Sequence, residues 1–360
     1  MLYRLATRMD VVRFQTRVVS LIEPGLMGDR LSDAGIRVDS LGMNRGVPSP
    51  AGLFKLVKLI RDWRPDVVQT WLYHADLAGL IATRLAFPLG NGPKVAWNIR
   101  CSYMALEEYR KLTGVTLKTC AALSRFPDVV LTNSQEARRF HKELGYAPKR
   151  FEVIPNGFDI DRFKPDSEAR REVREELSIA PDAQIIGHVA RFDAMKDHRS
   201  FIQAAAIAAK QMENVVFVLV GRGVDYDNID LATWLAEAGL ASEQVRLLGE
   251  RADMPRLMAA MDVHVSSSLG ESFPNVVGET MACGVPNMVT DVGDSALIVG
   301  STGEVVPPRD SIAAGDAIIR LLQKHSKDMP KTVNAARDRV VARFSLPTVV
   351  ASFANLYEEL

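Results

Sequence analysis

Short β-branched apolar runs alternate with amphipathic stretches along this 360-residue chain, and that alternation restricts its fold more than any other feature. In the first half the runs are RVVSL (17–21), IRVDSL (36–41), DVVQT (66–70), KVAWNI (94–99) and DVVLTNS (128–134). In the second half they are IIGHVAR (185–191), VVFVLVG (215–221), VRLLGE (245–250), VHVSSS (263–268), NMVT (287–290) and GEVVP (303–307). Helical patterns such as LFKLVKLIRDW (53–63) and FIQAAAIAAKQM (201–212) lie between them. Runs this continuously apolar are expected when helices cover both faces of a parallel sheet. Strand–helix alternation at this spacing means βαβ units and doubly wound sheets. The pattern restarts after FEVIPNGFDIDRFKPDSEAR (151–170), rich in turn residues and charge and read as the linker. Two α/β domains facing a cleft are therefore expected.

The opening of the chain departs from that scheme. A doubly wound domain normally begins with a buried strand and a glycine-rich turn. Here residues 1–14 read as a helix instead, with Leu2, Leu5, Met9 and Val12 spaced three or four apart. No apolar run approaches the roughly 18 residues of a membrane helix, and nothing at the N-terminus resembles a signal peptide. Three cysteines, Cys101, Cys120 and Cys283, lack metal-type spacing and fit a reducing compartment, so a cytoplasmic location is expected. The net charge of zero hides an asymmetry. Residues 1–150 carry 23 Lys+Arg against 13 Asp+Glu, and the rest of the chain carries 21 against 31. The first half thus faces something anionic, or the two halves attract one another.

Three constellations carry candidate chemistry. The densest is SSSLGESFPNVVGETMACGVPNMVTDVGD (266–294). It reads as a strand end, a loop over Leu269–Asn275, and a helix over Val276–Cys283 stopped by Gly284 and Pro286. A helix N-terminus beyond a strand's carboxyl end is an anion site. Glu271 in the loop and Glu279 one turn into the helix can face one ligand, with hydroxyl groups as partners; two solvated surface carboxylates are the plainer alternative. The second is HVARFDAMKDHRSF (188–201), where Arg191 ends a strand and Lys196 opens a helix. Two cations at that edge can neutralise a diphosphate without a metal ion. The third is VLVGRGVDYDN (218–228), a lone GxG at Gly221 and Gly223 that marks a tight turn near a ligand and is too little for a dinucleotide fingerprint.

Together these residues resemble the retaining glycosyltransferases of the GT-B fold, family 4. The family's E-x7-E pattern matches Glu271 and Glu279, and its arginine–lysine pair matches Arg191 and Lys196. Its interdomain segment matches Ile154, Pro155, Asn156, Gly157 and Asp159. The resemblance implies two Rossmann-like domains, over 1–152 on the acceptor side and 153–340 on the nucleotide-sugar side. A helix over 341–360 would return to the first, with Val349, Phe353 and Tyr357 on one face. It implies that Arg191 and Lys196 hold the diphosphate of a nucleotide-sugar, with a UDP-sugar favoured. Glu279 would accept from the ribose hydroxyls and Glu271 would hold the donor sugar, with Gly221 nearby. Backbone N–H groups of Phe273, Asn275 and Val276 would cap phosphate or sugar, and Pro274 cannot. The activity implied is metal-independent transfer, with retention, to a saccharide or polyprenyl-diphosphate-linked acceptor in surface polysaccharide or glycolipid synthesis. No metal or cofactor beyond the co-substrate and no nucleic acid partner is implied. The positive balance of the first half, for its part, supports a peripheral membrane contact.

In the N-terminal half, His74 follows the strand DVVQT and can reach donor sugar or acceptor, or simply flank a helix. Arg100 closes KVAWNI and can meet acceptor phosphate. Asn133 and Ser134 close another strand and either reach the cleft or cap the next helix. Relatives often carry a histidine where Cys101 stands. The first strand and Gly-Gly loop of the family find no counterpart, as if roughly 15–25 residues were missing through a misplaced start codon, a shortened clone or real loss. A parallel sheet deprived of a central strand would expose two edges. That gap motivates one rival, a nucleotide-sugar-binding or scaffold protein without turnover; a separate rival within the enzymes is another GT-B activity such as a nucleotide-sugar epimerase. Cys283 reads as a small hydrophobe on its helix.

Overall fold

The structure, a computed structural model, describes residues 1–44, 46–47, 49–102 and 111–360. It divides into two compact units, Met1–Gly157 with Pro347–Leu360, and Phe158–Leu346. Every strand pairing among the described residues is parallel, as the continuously apolar runs require.

The first unit holds strands β1 (Arg17–Ser20), β2 (Arg37–Ser40), β3 (Val67–Trp71), β4 (Lys94–Ile99), β5 (Val129–Thr132) and β6 (Phe151–Val153). Its helices are α1 (Leu2–Ala6), α2 (Gly25–Asp33), α3 (Pro50–Trp63), α4 (Tyr73–Ala86), α5 (Lys111–Leu123), α6 (Gln135–Glu143) and, from the far end of the chain, α15 (Leu346–Glu359). These strands make two sheets, β1-β2 and β3-β4-β5-β6. One core serves both: Val19 of β1 and Val68 of β3 pack on Leu56, Val57 and Ile60 of α3 and Ala82 and Ala86 of α4. On the other side, Val95, Trp97 and Ile99 pack with Leu80, Leu117 and Val130.

Two expectations are corrected here. The opening helix ends at Ala6, and Val12 is 91% exposed rather than part of a buried stripe. Asp10 explains the break: its carbonyl accepts from Phe14 N and its carboxylate from Val12 N, a turn that competes with helix. Within the stretch read as linker, Phe151–Val153 is a strand paired with β5. Glu152 splits its two apolar residues and Pro155, Asn156 and Gly157 follow closely, so the run reads as part of a turn-rich stretch. Further along that stretch, Asp166 caps α7 (Ser167–Glu176).

The second unit adds β7 (Gln184–Val189), β8 (Val215–Val220), β9 (Val245–Leu247), β10 (Val263–Ser266), β11 (Asn287–Thr290) and β12 (Glu304–Val306) in the order β12-β11-β10-β7-β8-β9. Its other helices are α8 (His198–Gln211), α9 (Ile229–Ala238), α10 (Met254–Ala260), α11 (Asn275–Ala282), α12 (Ser295–Val299), α13 (Ser311–Lys327) and α14 (Met329–Phe344). Alternate residues of β8 feed opposite cores. Phe217 and Leu219 pack with α8 and α13, while Val216, Val218 and Val220 pack toward α10 and α11. Successive crossovers run outward in opposite directions from β7 and β10. The crevice between those two strand ends is the switch point where open α/β sheets bind ligands.

Candidate active site

A cavity of about 230 Å³ opens at that switch point. From the β7 side come His188, Val189, Ala190 and Lys196; from the β10 side come Ser266, Ser268, Glu271, Phe273, Pro274, Asn275 and Val276. A second cavity of about 310 Å³ shares Val189, Ala190 and Val276, and adds Arg191, Gly221, Arg222, Glu250 and Arg251.

Local folding explains why these side chains converge. After β7, Asp193 turns the chain: its carboxylate accepts from Met195 N at 2.9 Å and opens a 3-10 turn over Ala194–Lys196. Asp197 then caps α8 in a left-handed conformation, accepting from Ser200 N and Oγ. The β10 loop is stitched to this segment. Leu269 N donates to Met195 O at 2.8 Å, and Ser267 Oγ donates to the carbonyls of Lys196 and Asp197. The Phe273 ring stacks on Phe158 and meets Phe344 edge-on, anchoring the loop. The loop then enters α11 behind Pro274, with no side-chain cap and no acidic residue in the first turn. Helix amides therefore face the cavity as an anion-attracting end.

The structure joins Lys196 and Glu271 directly. Lys196 Nζ donates to Glu271 Oε1, which also accepts from Ser268 Oγ at 2.8 Å. Both are mostly buried, 22% and 14% exposed as side chains. Arg191 is placed differently: it borders the second cavity, and its guanidinium pairs with Asp193 at 2.9–3.0 Å. Gly221 faces that second cavity too, where a Cβ would collide with the Ala190 carbonyl. Glu279 sits half-buried one turn into α11 and lines neither cavity.

His188 gains a place in the site only through the fold. It is 2% exposed beneath the first cavity, with Nδ1 at 2.9 Å from Val265 O and its ring stacked on Phe201. Burial and the neighbouring His198 hold its pKa well below the ordinary imidazole value, so the ring is neutral. Ser268 was equally invisible, because serine next to a strand end is common and only the fold turns this one onto Glu271. Among the described residues no group of three His, Cys, Asp or Glu is arranged to hold a metal ion. Cys283 is buried against Pro255, and burial pushes its thiol up to about 12, so it is not a nucleophile near neutral pH.

In the first unit, His74 lies exposed on the first turn of α4, and Arg100 directly follows β4. Ser134 caps α6 by accepting from Ala137 N at 2.9 Å, the second of the two roles open to it from sequence.

Two parallel doubly wound units, one bearing a cation–carboxylate pair and a helix N-terminus at its switch point, are the GT-B architecture. The solved structure of HepE from Anabaena, in complex with UDP, is similar with a TM-score of 0.81 at 24% identity, covering 100% of this chain and 95% of that one. A glycosyltransferase from Rickettsia africae gives 0.81 at 18%, covering 99% and 93%. The family model for glycosyl transferases group 1 matches residues 183–324, and that for Glycosyltransferase Family 4 matches residues 1–162. The chain belongs to the family 4 glycosyltransferases. Among curated relatives, a putative glycosyltransferase EpsF of Bacillus subtilis is 32% identical over 187 residues, which is 50% of this chain and 48% of that protein. A UDP-Gal:alpha-D-GlcNAc-diphosphoundecaprenol alpha-1,3-galactosyltransferase of Escherichia coli is 26% identical over 316 residues, 86% of this chain and 79% of that protein. D-inositol 3-phosphate glycosyltransferases of Corynebacterium jeikeium and others also match, at 28% over 65% of this chain and 58% of the relative in that case.

Proposed function

We propose that the protein transfers a sugar from a nucleotide-sugar, with UDP-sugars favoured, to a saccharide or lipid-linked saccharide, with retention and without a metal ion. The observation that carries this reading is the switch-point cavity, where Lys196, Glu271 and the uncapped start of α11 surround one space. A nucleoside diphosphate fits that chemistry. Its phosphates take Lys196 and the amides of Asn275 and Val276, and the adjoining cavity at Gly221 and Arg251 takes the base. Arg191, released from Asp193, reaches the diphosphate from the second cavity. Glu271 then turns to the donor sugar, and Glu279 accepts from ribose.

The leaving group carries the developing negative charge, so a preorganised cation at its oxygens lowers the barrier directly, by about 3 kcal/mol per donor group. Lys196 supplies that charge in place of a divalent ion. Attack from the leaving-group face, with a phosphate oxygen taking the acceptor proton, gives retention. Acceptors named for relatives include a diphosphoundecaprenol-linked sugar, which suits a protein held at the cytoplasmic face of a membrane. No helix among the described residues is long and apolar enough to cross one.

Calorimetric titration of UDP and GDP with EDTA present tests the donor half. Metal-free binding of one nucleotide, weakened tenfold or more by Lys196→Ala and by Glu279→Ala, is expected. No binding by a folded protein would refute the donor site. The divided sheet of the first unit favours one rival, a protein that binds donor without turning it over. Transfer activity, with the product's anomeric configuration read by NMR, separates the two.

A further inference from the structure

Arg100 directly follows β4 at the carboxyl edge of the first unit's four-stranded sheet. Its surroundings are unusual for a cation. One guanidinium nitrogen donates to Asn98 Oδ1 at 3.2 Å, another to Asn156 Oδ1, and the Trp71 ring lies 5.2 Å from its centre. All of these partners are neutral. No carboxylate among the described residues pairs with Arg100, whereas Arg13, Arg17, Arg139, Arg150, Arg191 and Arg251 each hold one. Burial alone lowers its pKa, to about 10. A second guanidinium, that of Arg4, donates to the carbonyl of Gly157, next to Asn156, so two arginines converge on one turn.

Desolvating a cation without a counter-charge costs stability, and natural chains tolerate this where a ligand supplies the charge. Asn98 and Asn156 orient the planar fork, and Trp71 supports its face, which leaves it pre-set for a planar or tetrahedral oxyanion. The adjoining backbone agrees. Leu72, which follows Trp71, adopts φ +72° and opens the 14-residue α4 without a side-chain cap, so uncapped amides lie at the same edge.

We propose that Arg100 is the anion-binding residue of the acceptor site and holds a phosphoryl group carried by the acceptor. The assignment rests on the glycosyltransferase reading above, since only that reading makes the bound anion an acceptor. A phosphoryl group can come from a lipid diphosphate or from a free sugar or cyclitol phosphate, and both kinds are named for relatives.

The test is run on the whole chain with UDP saturating, so that the second unit's anion site is filled, and the probe is inorganic pyrophosphate followed by calorimetry. UDP binding by the same sample reports the donor reading separately; should UDP not bind, the pyrophosphate titration is repeated on Lys196→Ala. Arg100→Gln is expected to weaken pyrophosphate at least tenfold while leaving UDP affinity within twofold and Tm unchanged or raised. Arg100→Lys, which keeps the charge and loses the fork, is expected to fall between. A structural role predicts the opposite, a lowered Tm with pyrophosphate binding intact, and that result overturns the proposal. So does a wild-type protein that takes no pyrophosphate, or failure of both variants to fold. Competition by D-inositol 3-phosphate in solution or by GlcNAc-diphosphoundecaprenol in micelles then names the source. If neither displaces pyrophosphate, the anion is not an acceptor phosphoryl group.

Discussion

At the scale of single residues, the site in the second unit is a pair of charges already satisfied by each other. Lys196 is held by Glu271, and Arg191 by Asp193. A diphosphate must therefore compete with a carboxylate for each cation, which sets a direction for mutants. Glu271→Gln frees Lys196 and is expected to raise affinity for UDP severalfold while abolishing transfer; calorimetry beside a product assay checks both signs. A fall in UDP affinity would show that Glu271 binds UDP itself. Asp262 is the contrasting case, a structural carboxylate at the far end of the sheet. It accepts from Arg170 at 2.6 Å, Arg174 at 3.2 Å and Ile185 N at 2.7 Å, with His325 Nε2 at 3.4 Å. Burial pushes its carboxyl up, but the partners outweigh burial and the net shift is downward. A depressed folded pKa contributes stability that is fully present above the unfolded value of about 3.9 and is lost as pH falls through the lower folded value. Asp262→Asn should cost about 3–5 kcal/mol at neutral pH, because two guanidiniums lose their counter-charge. That penalty should shrink in acid, measured by denaturant unfolding at several pH values.

At the scale of elements, the first unit contains the conspicuous irregularity. Its sheet is in two pieces, and β1 and β3 have no partner on their facing edges among the described residues. Burial follows the division: β1 is half-buried throughout, whereas five of the six residues of β4 are buried. Free edges leave backbone groups in exchange with water. Hydrogen exchange is expected to be faster in β1 and β2 than in β4 and β5 by at least tenfold. Equal protection would mean that the two sheets open as one cooperative unit. The sequence patterns located eleven of the twelve strands among the described residues, because each contains enough apolar residues to break helical periodicity. Phe151–Val153 escaped because Glu152 splits its apolar residues and Pro155 and Gly157 mark the stretch as a turn, and the opening helix was overdrawn because spacing counts residues and does not see Asp10 turning the chain.

At the scale of the whole molecule, the charge is divided as the chain is. The first 150 residues carry an excess of ten positive charges and the remainder an equal excess of negative ones. Net charge of this size governs association more than fold. If the acceptor is carried on an anionic bilayer, sedimentation with phosphatidylglycerol-rich vesicles should be strong at low salt and fall steeply as ionic strength approaches the physiological range, where the Debye length is about 8 Å. Binding indifferent to salt, or absent at low salt, would place the acceptor away from such a surface.

What the sequence determined by itself is local and periodic: most strands and helices, the parallel sheets, and the candidates Arg191, Lys196, Glu271 and Glu279. Apolar spacing and turn residues act over a few positions, so they can be read without knowing the fold. Pairing was decided only by the tertiary structure. Glu271 meets Lys196 across 75 residues, and Ser268 turns onto the same carboxylate. Arg191 borders the adjoining cavity, His188 lies buried beneath the first, and Arg100 stands among neutral amides. Such contacts arise where distant strand ends are brought side by side, and the free energy that selects them comes from burying whole sheet faces rather than from the residues that meet.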